Sequence, residues 1–326
     1  MSNQAQAQPV VPPSFLSKAI NRNQAKGIRT AIYGSEGSGK TTLATSAPKT
    51  ILIPTEDGWI GLDKNSDVVI LPTVAIYEDI IGINRELAVL FQSDPANFPF
   101  KHIVIDSATA LERLIHDYTL RSDPKYATTK LTMESAHGGY GASYNFANDL
   151  FTKLLSTFDW FVARGINVTI TCHAMAITEK DTIAGDEYTS MDCALHSPRN
   201  GKSTGKREIL KQWVDILGYL HTPVYVTGKE GGFKTAMNAG SDKVLGLHGN
   251  PKYAAKNRFS VQEPLIIPKD NGWAVLMSAI NGDTTGVTYV TPQEPAVEVA
   301  TVAPADTLFG EVPVSEQADN LFANTI

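Results

Sequence analysis

Short apolar runs alternate along the chain with segments of helical period. Candidate strands are 28–33, 51–55, 68–72, 102–106, 167–172 and 214–220. Between them lie helical patterns at 78–92, 107–121 and 143–161; in the last, Phe146, Leu150, Leu154 and Phe158 recur every four residues, the stripe of a helix laid on a sheet. Strands alternating with helices predict an α/β fold, a mostly parallel central sheet flanked by helices. Two further runs, 224–227 and 233–237, flank a Gly-rich turn and predict a C-terminal β-hairpin region. Residues 1–25 form an expected flexible arm and 26–283 the folded body. From 284 to 326 the composition turns to Thr, Pro, Val, Ala and acid, which predicts a disordered acidic tail. Inside that tail an Ala-Asp-Xaa-Leu-Phe unit occurs at 305–309 and again at 318–322.

The turn after the first apolar run carries the chemistry. Residues 34–41 read GSEGSGKT, a complete phosphate-binding loop between a predicted strand and a predicted helix. Gly34, Ser35, Glu36, Gly37, Ser38, Gly39, Lys40, Thr41 and Thr42 are the expected nucleotide contacts. The glycines let backbone N–H groups face an anion, Lys40 reaches the phosphates, and the Thr41 hydroxyl holds Mg²⁺. ATP and Mg²⁺ are therefore the expected ligands. Three apolar residues and then Asp106 end the strand 102–106, placing a second carboxylate for the metal. Ser107 follows it, so a base for hydrolysis must come from elsewhere. Glu56 ends the second strand at the carboxyl edge, where ligands bind in open α/β sheets; Asp57 competes with it one residue on.

These residues together resemble RecA-like recombinases, whose catalytic glutamate stands at the tip of the second strand. The resemblance implies a RecA-like P-loop NTPase core in which Glu56 polarises the attacking water. His173 falls where that family places a γ-phosphate sensor, although RecA itself has glutamine there. The stretch 254–259 is similar to the lysine-rich segment by which one RecA protomer reaches its neighbour's ATP, which implies Lys256 and Arg258 as fingers in trans and a homo-oligomer. Among RecA relatives, 26–280 most resembles the phage group of AAA-type ATP-binding or Sak-type single-strand annealing proteins. That implies ATP-dependent binding and annealing of single-stranded DNA, assisted by a single-strand-binding protein.

Two loops are the expected DNA contacts. One is 122–145, where Tyr140 and Tyr144 are available to stack on bases; Tyr144 reads equally as part of the following helix. The other is the basic stretch 196–211, with Arg199, Lys202, Lys206 and Arg207, which suits a phosphate backbone without reading sequence.

Charge and cysteine usage refine this picture. The net charge is −6, but eight acidic residues and no Lys or Arg follow Lys269, so residues 1–269 carry +2. The tail is a candidate site for a single-strand-binding protein or a sliding clamp, not for DNA. Cys172 and Cys193 are far apart in sequence and form no metal-like spacing. The amino terminus lacks a signal-peptide pattern and no apolar run reaches membrane-span length, so a cytoplasmic location is expected. Two rival readings stay open: a ring helicase or helicase-loading ATPase, and a KaiC-like regulatory switch that does not act on DNA.

Overall fold

In the computed structural model, residues 26–63, 67–181, 185–198, 204–227, 235–238 and 242–290 are described. The first strand, β1 (Arg29–Gly34), sends Ala31 and Tyr33 into one apolar cluster and Ile32 into another. Strands β2 (Thr50–Pro54) and β4 (His102–Asp106) repeat this: Ile51, Ile53, Ile103 and Ile105 enter the first cluster, Leu52 and Val104 the second. A strand that buries both faces reads as a continuous apolar run, and helices must cover both sides.

They do. On the first face lie α2 (Tyr77–Ser93), α3 (Ala108–Arg121), α4 (Ala142–Val162) and α5 (Lys206–Trp213); on the second lie α1 (Lys40–Thr45) and α6 (Gly272–Asn281). The remaining strands are β3 (Val69–Ile70), β5 (Asn167–Lys180), β6 (Glu187–Cys193), β7 (Ile216–His221), β8 (Val224–Thr227), β9 (Thr235–Asn238), β10 (Lys243–Gly246), β11 (Lys256–Asn257) and β12 (Leu265–Ile267). The sheet order is β12-β10-β7-β1-β5-β4-β2-β3. From β7 to β3 every pair is parallel, while β10, β11 and β12 join antiparallel. The expected hairpin exists as β8 paired antiparallel with β9.

Several expectations change. The predicted strand 68–72 shrinks to two residues at the sheet edge. The strand predicted to end at 172 runs on to Lys180, because β6 pairs with its second half from Ala174↔Cys193 to Lys180↔Glu187. This extension is a largely solvent-facing two-stranded ribbon beyond the carboxyl edge, without the apolar–polar alternation that announces a strand. The face of α4 is wider than the predicted stripe: Phe151, Leu154, Leu155, Phe158 and Phe161 are buried, whereas Phe146 and Leu150 are only half-buried. The folded body also passes the predicted end at 283. Ile266 N–H donates to Thr288 O at 2.9 Å, Val290 N–H to Pro264 O at 2.9 Å, and Val287 and Tyr289 pack on the α6-side cluster. Residues 1–25 and the tail from 291, with its repeated pentamers, lie outside the described residues.

Candidate nucleotide site

Strand β1 ends in the loop Gly34–Gly39, which opens α1. Gly37 (φ 69°) and Gly39 (φ 93°) sit in the left-handed region that favours glycine. Gly34 is required for a different reason: a Cβ there would lie 2.3 Å from the Leu220 carbonyl oxygen of β7. Lys40 folds back over the loop, its Nζ donating to Gly34 O at 3.1 Å and Ser35 O at 2.9 Å. Burial lowers its pKa, with the Asp106 carboxylate the largest opposing influence.

The expected metal pair is in contact: Thr41 Oγ1 donates to Asp106 Oδ2 at 2.7 Å. The other carboxylate oxygen accepts from Thr171 on β5. Asp106 is thereby oriented by a strand neighbour that no sequence motif marks. Its signal was the register, since Ile105 pairs with Ile170 and so brings the next residues side by side.

The site fits Mg²⁺ and a phosphate chain. Its donor set is hard oxygen, as Mg²⁺ requires. A Cβ on Gly58 would stand 3.4 Å from Asp106 Oδ2 and 3.8 Å from Thr41 Oγ1, so that glycine keeps the ground beside the pair open. Ser38 Oγ in the loop is buried without a hydrogen-bond partner. Cavities flank the loop on the β7 side: one of about 600 Å³ lined by Ser35, Glu36, Gly37 and Ser38, another of about 410 Å³ lined by Gly39 and Thr42.

Glu56 and His173 meet at this edge. His173 pairs with Gly34 in the β1–β5 register, and its Nε2 lies 3.0 Å from Glu56 Oε1. A carboxylate only accepts, so Nε2 carries the proton. Thr55 clamps the tips of β2 and β4 under Glu56. Its hydroxyl donates to Ser107 O at 2.8 Å and accepts from Ser107 N–H at 2.7 Å. Ser107 itself caps α3, accepting from Ala110 N–H. Arg113, one turn and a half into α3, stands 3.9 Å from the second Glu56 oxygen. Asp57, the competitor, instead accepts from Thr73 Oγ1 at 2.9 Å.

Behind His173, Thr109 links the strands. Its hydroxyl accepts from His173 N–H at 3.1 Å and lies 3.3 Å from both Cys172 Sγ and Ala194 O. The two cysteines, distant in sequence, are buried neighbours on β5 and β6; both are free thiols, and the Cys193 pKa is raised by its hydrogen bond with Cys172 and by burial.

The expected DNA residues separate. Tyr140 is fully exposed, at φ 52° between Gly139 and Gly141. Tyr144 belongs to α4: its ring stacks on His196 (centroids 4.1 Å apart, planes at 11°) and its hydroxyl donates to Glu134 Oε1 at 2.9 Å. Arg199 and Lys202 lie outside the described residues. Lys206 is a correction. It is not a loop cation but a fully buried residue opening α5, with Nζ 2.9 Å from His116 Nε2 and 3.4 Å from Glu112 Oε1. Arg207 donates to the carbonyls of Cys193 and Leu195, each at 3.1 Å.

Lys256 is a second correction. Its Nζ donates to the carbonyls of Lys211 (2.8 Å), Gln212 (3.3 Å) and Val214 (2.9 Å), the unpaired end of α5. A lysine at a helix C-terminus satisfies orphan carbonyls, and all three of its protons are thereby used. Arg258 is half-exposed and stands 3.4 Å from Asp215. Both residues flank the start of β7, the edge opposite the phosphate loop.

A family model described as AAA domain matches residues 26–259, from the approach to β1 through β11. No curated protein is similar enough to match. No helix among the described residues is long and apolar enough to cross a membrane.

Proposed function

The chain belongs to the AAA domain family, a nucleotide-binding ATPase class, and from that premise we propose that it hydrolyses ATP in response to single-stranded DNA during recombination or annealing. The observation that carries this reading is the Glu56–His173 contact at 3.0 Å, made at the carboxyl edge from strand ends on either side of β4, with His173 opposite Gly34 in the register.

The chain's own groups divide the work. Incoming phosphate oxygens replace the Gly34 and Ser35 carbonyls as the environment of Lys40, and the loop N–H groups cradle them. A divalent ion bound by Thr41 and Asp106 would neutralise charge on the phosphate oxygens. Glu56 accepts a proton from water as its oxygen attacks the terminal phosphorus, while the bond to the ADP oxygen breaks. His173 holds the Glu56 carboxylate in one orientation. Because the same imidazole lies at the root of the β5–β6 ribbon, its position reports on the terminal phosphate to the segments beyond.

Tyr140, presented on a glycine-flanked turn, supports contact with bases; such stacking contributes about 1–3 kcal/mol per base in known cases. A specific feature favours a second reading, the regulatory switch that does not act on DNA. The ribbon next to the site carries Glu179, Asp181, Asp186 and Glu187 against Lys180, a surface that repels phosphate and suits a basic protein surface.

Steady-state ATP hydrolysis with no DNA, with single strands and with duplex, using Lys40→Ala as the blank, separates the two. Stimulation by single strands alone supports the recombination reading. Turnover indifferent to DNA removes it and leaves the switch.

A further inference from the structure

Lys256 and Arg258, the cations that the RecA resemblance supplies for the phosphoryl group, lie at the edge opposite the loop, and Lys256 is fully committed to the end of α5. Another cation occupies the loop's own edge. Lys243 begins β10, which runs antiparallel to β7, with Val244 opposite His221 and Gly246 opposite Tyr219. This register places Lys243 beyond the carboxyl end of β7, where β7 abuts the start of the loop through Leu220 and Gly34. Only β7 separates β10 from β1, so Lys243 stands about two strand spacings, or roughly 10 Å, from the β1 tip.

Lys243 lines both cavities that flank the loop: the one bounded by Ser35–Ser38 and the one bounded by Gly39 and Thr42. Its Nζ donates to Thr222 Oγ1 at 2.8 Å. That bond fixes the ammonium's position and leaves two protons for acceptors. Lys252 lines the first cavity only. Asp242 and Lys269 line the second only, so among these charged groups Lys243 alone borders both cavities along the phosphate loop.

We infer that Lys243 is a catalytic residue supplied in cis: its ammonium, steered by Thr222, contacts the phosphate chain and neutralises charge that develops during transfer. This rests on the nucleotide reading above. It differs from an active site shared between subunits, since each chain then carries its own cation.

The test compares Lys243→Met and Lys243→Arg with wild type and with Lys256→Met. Three quantities are read: kcat for ATP hydrolysis, affinity for a fluorescent ATP analogue, and retention of ADP with aluminium fluoride, which imitates the transferring phosphoryl group. Cationic fingers contribute about 10³–10⁵ in rate in other phosphate-loop enzymes. Lys243→Met is expected to lower kcat at least 100-fold, to change analogue affinity less than threefold, and to lose aluminium fluoride retention. Lys243→Arg is expected to restore retention and at least a tenth of the rate. A Lys243→Met protein that keeps more than a third of wild-type kcat overturns the inference. So does one whose kcat is unchanged at saturation while its affinity falls, because Lys243 then serves only ground-state binding. A Lys256→Met protein that loses retention while Lys243→Met keeps it returns the role to the neighbouring subunit. If wild type binds ATP but neither hydrolyses it nor retains the fluoride complex, the ATPase reading falls, and this inference with it.

Discussion

Glu56 Oε1 and His173 Nε2 are 3.0 Å apart, although 117 residues separate them in the chain. Strand β2 delivers one and β5 the other, and β4 lies between them in the sheet. The contact therefore spans β4, the strand that ends in Asp106. Replacing His173 by Leu removes the only described hydrogen bond to Glu56 while leaving the loop, Lys40 and Asp106 in place. The expected result is a kcat lower by about 10–100-fold, with ATP affinity within threefold. An unchanged kcat in steady-state assays shows that His173 does not orient Glu56.

Gly34 and Gly58 are sensitive for opposite reasons. Gly34→Ala drives a methyl group to 2.3 Å from a β7 carbonyl, so both stability and nucleotide binding should fall, seen as a lower melting temperature and lost ATP-analogue binding. Gly58→Ala meets Asp106 only at 3.4 Å. It should fold normally and raise the Mg²⁺ concentration needed for half-maximal turnover. Equal magnesium requirements in the two proteins would separate Gly58 from the metal position.

Much of this site was legible from the chain. The loop, Thr41 and Asp106 announce themselves because each depends on local order: a strand, a glycine turn, a helix start. Glu56 followed from the end of an apolar run. Thr171, Thr55 and Thr109 did not, since a threonine in or beside a strand is ordinary and only strand register reveals what it touches. The basic stretch 196–211 misled for a related reason. Charge density suggests a solvated loop, but Lys206 is consumed by Glu112 and His116, partners that become neighbours only in the folded chain; Lys256, in the separate stretch 254–259, is likewise consumed by the end of α5. The α5 helix was also hidden, being eight residues long and mostly polar.

Lys206 accordingly belongs to stability. Lys206→Met leaves the Glu112 carboxylate without its cation in a largely buried setting, and breaking such a pair costs about 3 kcal/mol. Denaturant titration should show that loss, with ATP affinity of the folded fraction unchanged. A variant as stable as wild type but deficient in DNA binding would restore Lys206 to the DNA surface.

Stability should also fall with acid in a specific window. Burial, reinforced by Lys206 and His196, depresses His116 to about 4, and burial depresses His102 to about 3. Because both folded values lie below the unfolded value near 6.5, the neutral rings contribute stability that is fully present above pH 6.5. It is lost as pH falls towards 4 and 3. Linkage puts the loss at about 2 kcal/mol for His116 between pH 7 and pH 5. His116→Asn should flatten that part of the pH–stability curve measured by urea unfolding; an unchanged slope contradicts the assignment.

On the proposed function, Glu56 performs the hydrolytic step at this loop. Single-turnover ATP hydrolysis by Glu56→Gln, with ATP binding measured on the same protein, tests it most directly. The expected result is a first-order rate reduced by about 10²–10⁴-fold and ATP bound as tightly as in wild type. Hydrolysis at the wild-type rate by Glu56→Gln would contradict it and send the search for the base to another residue.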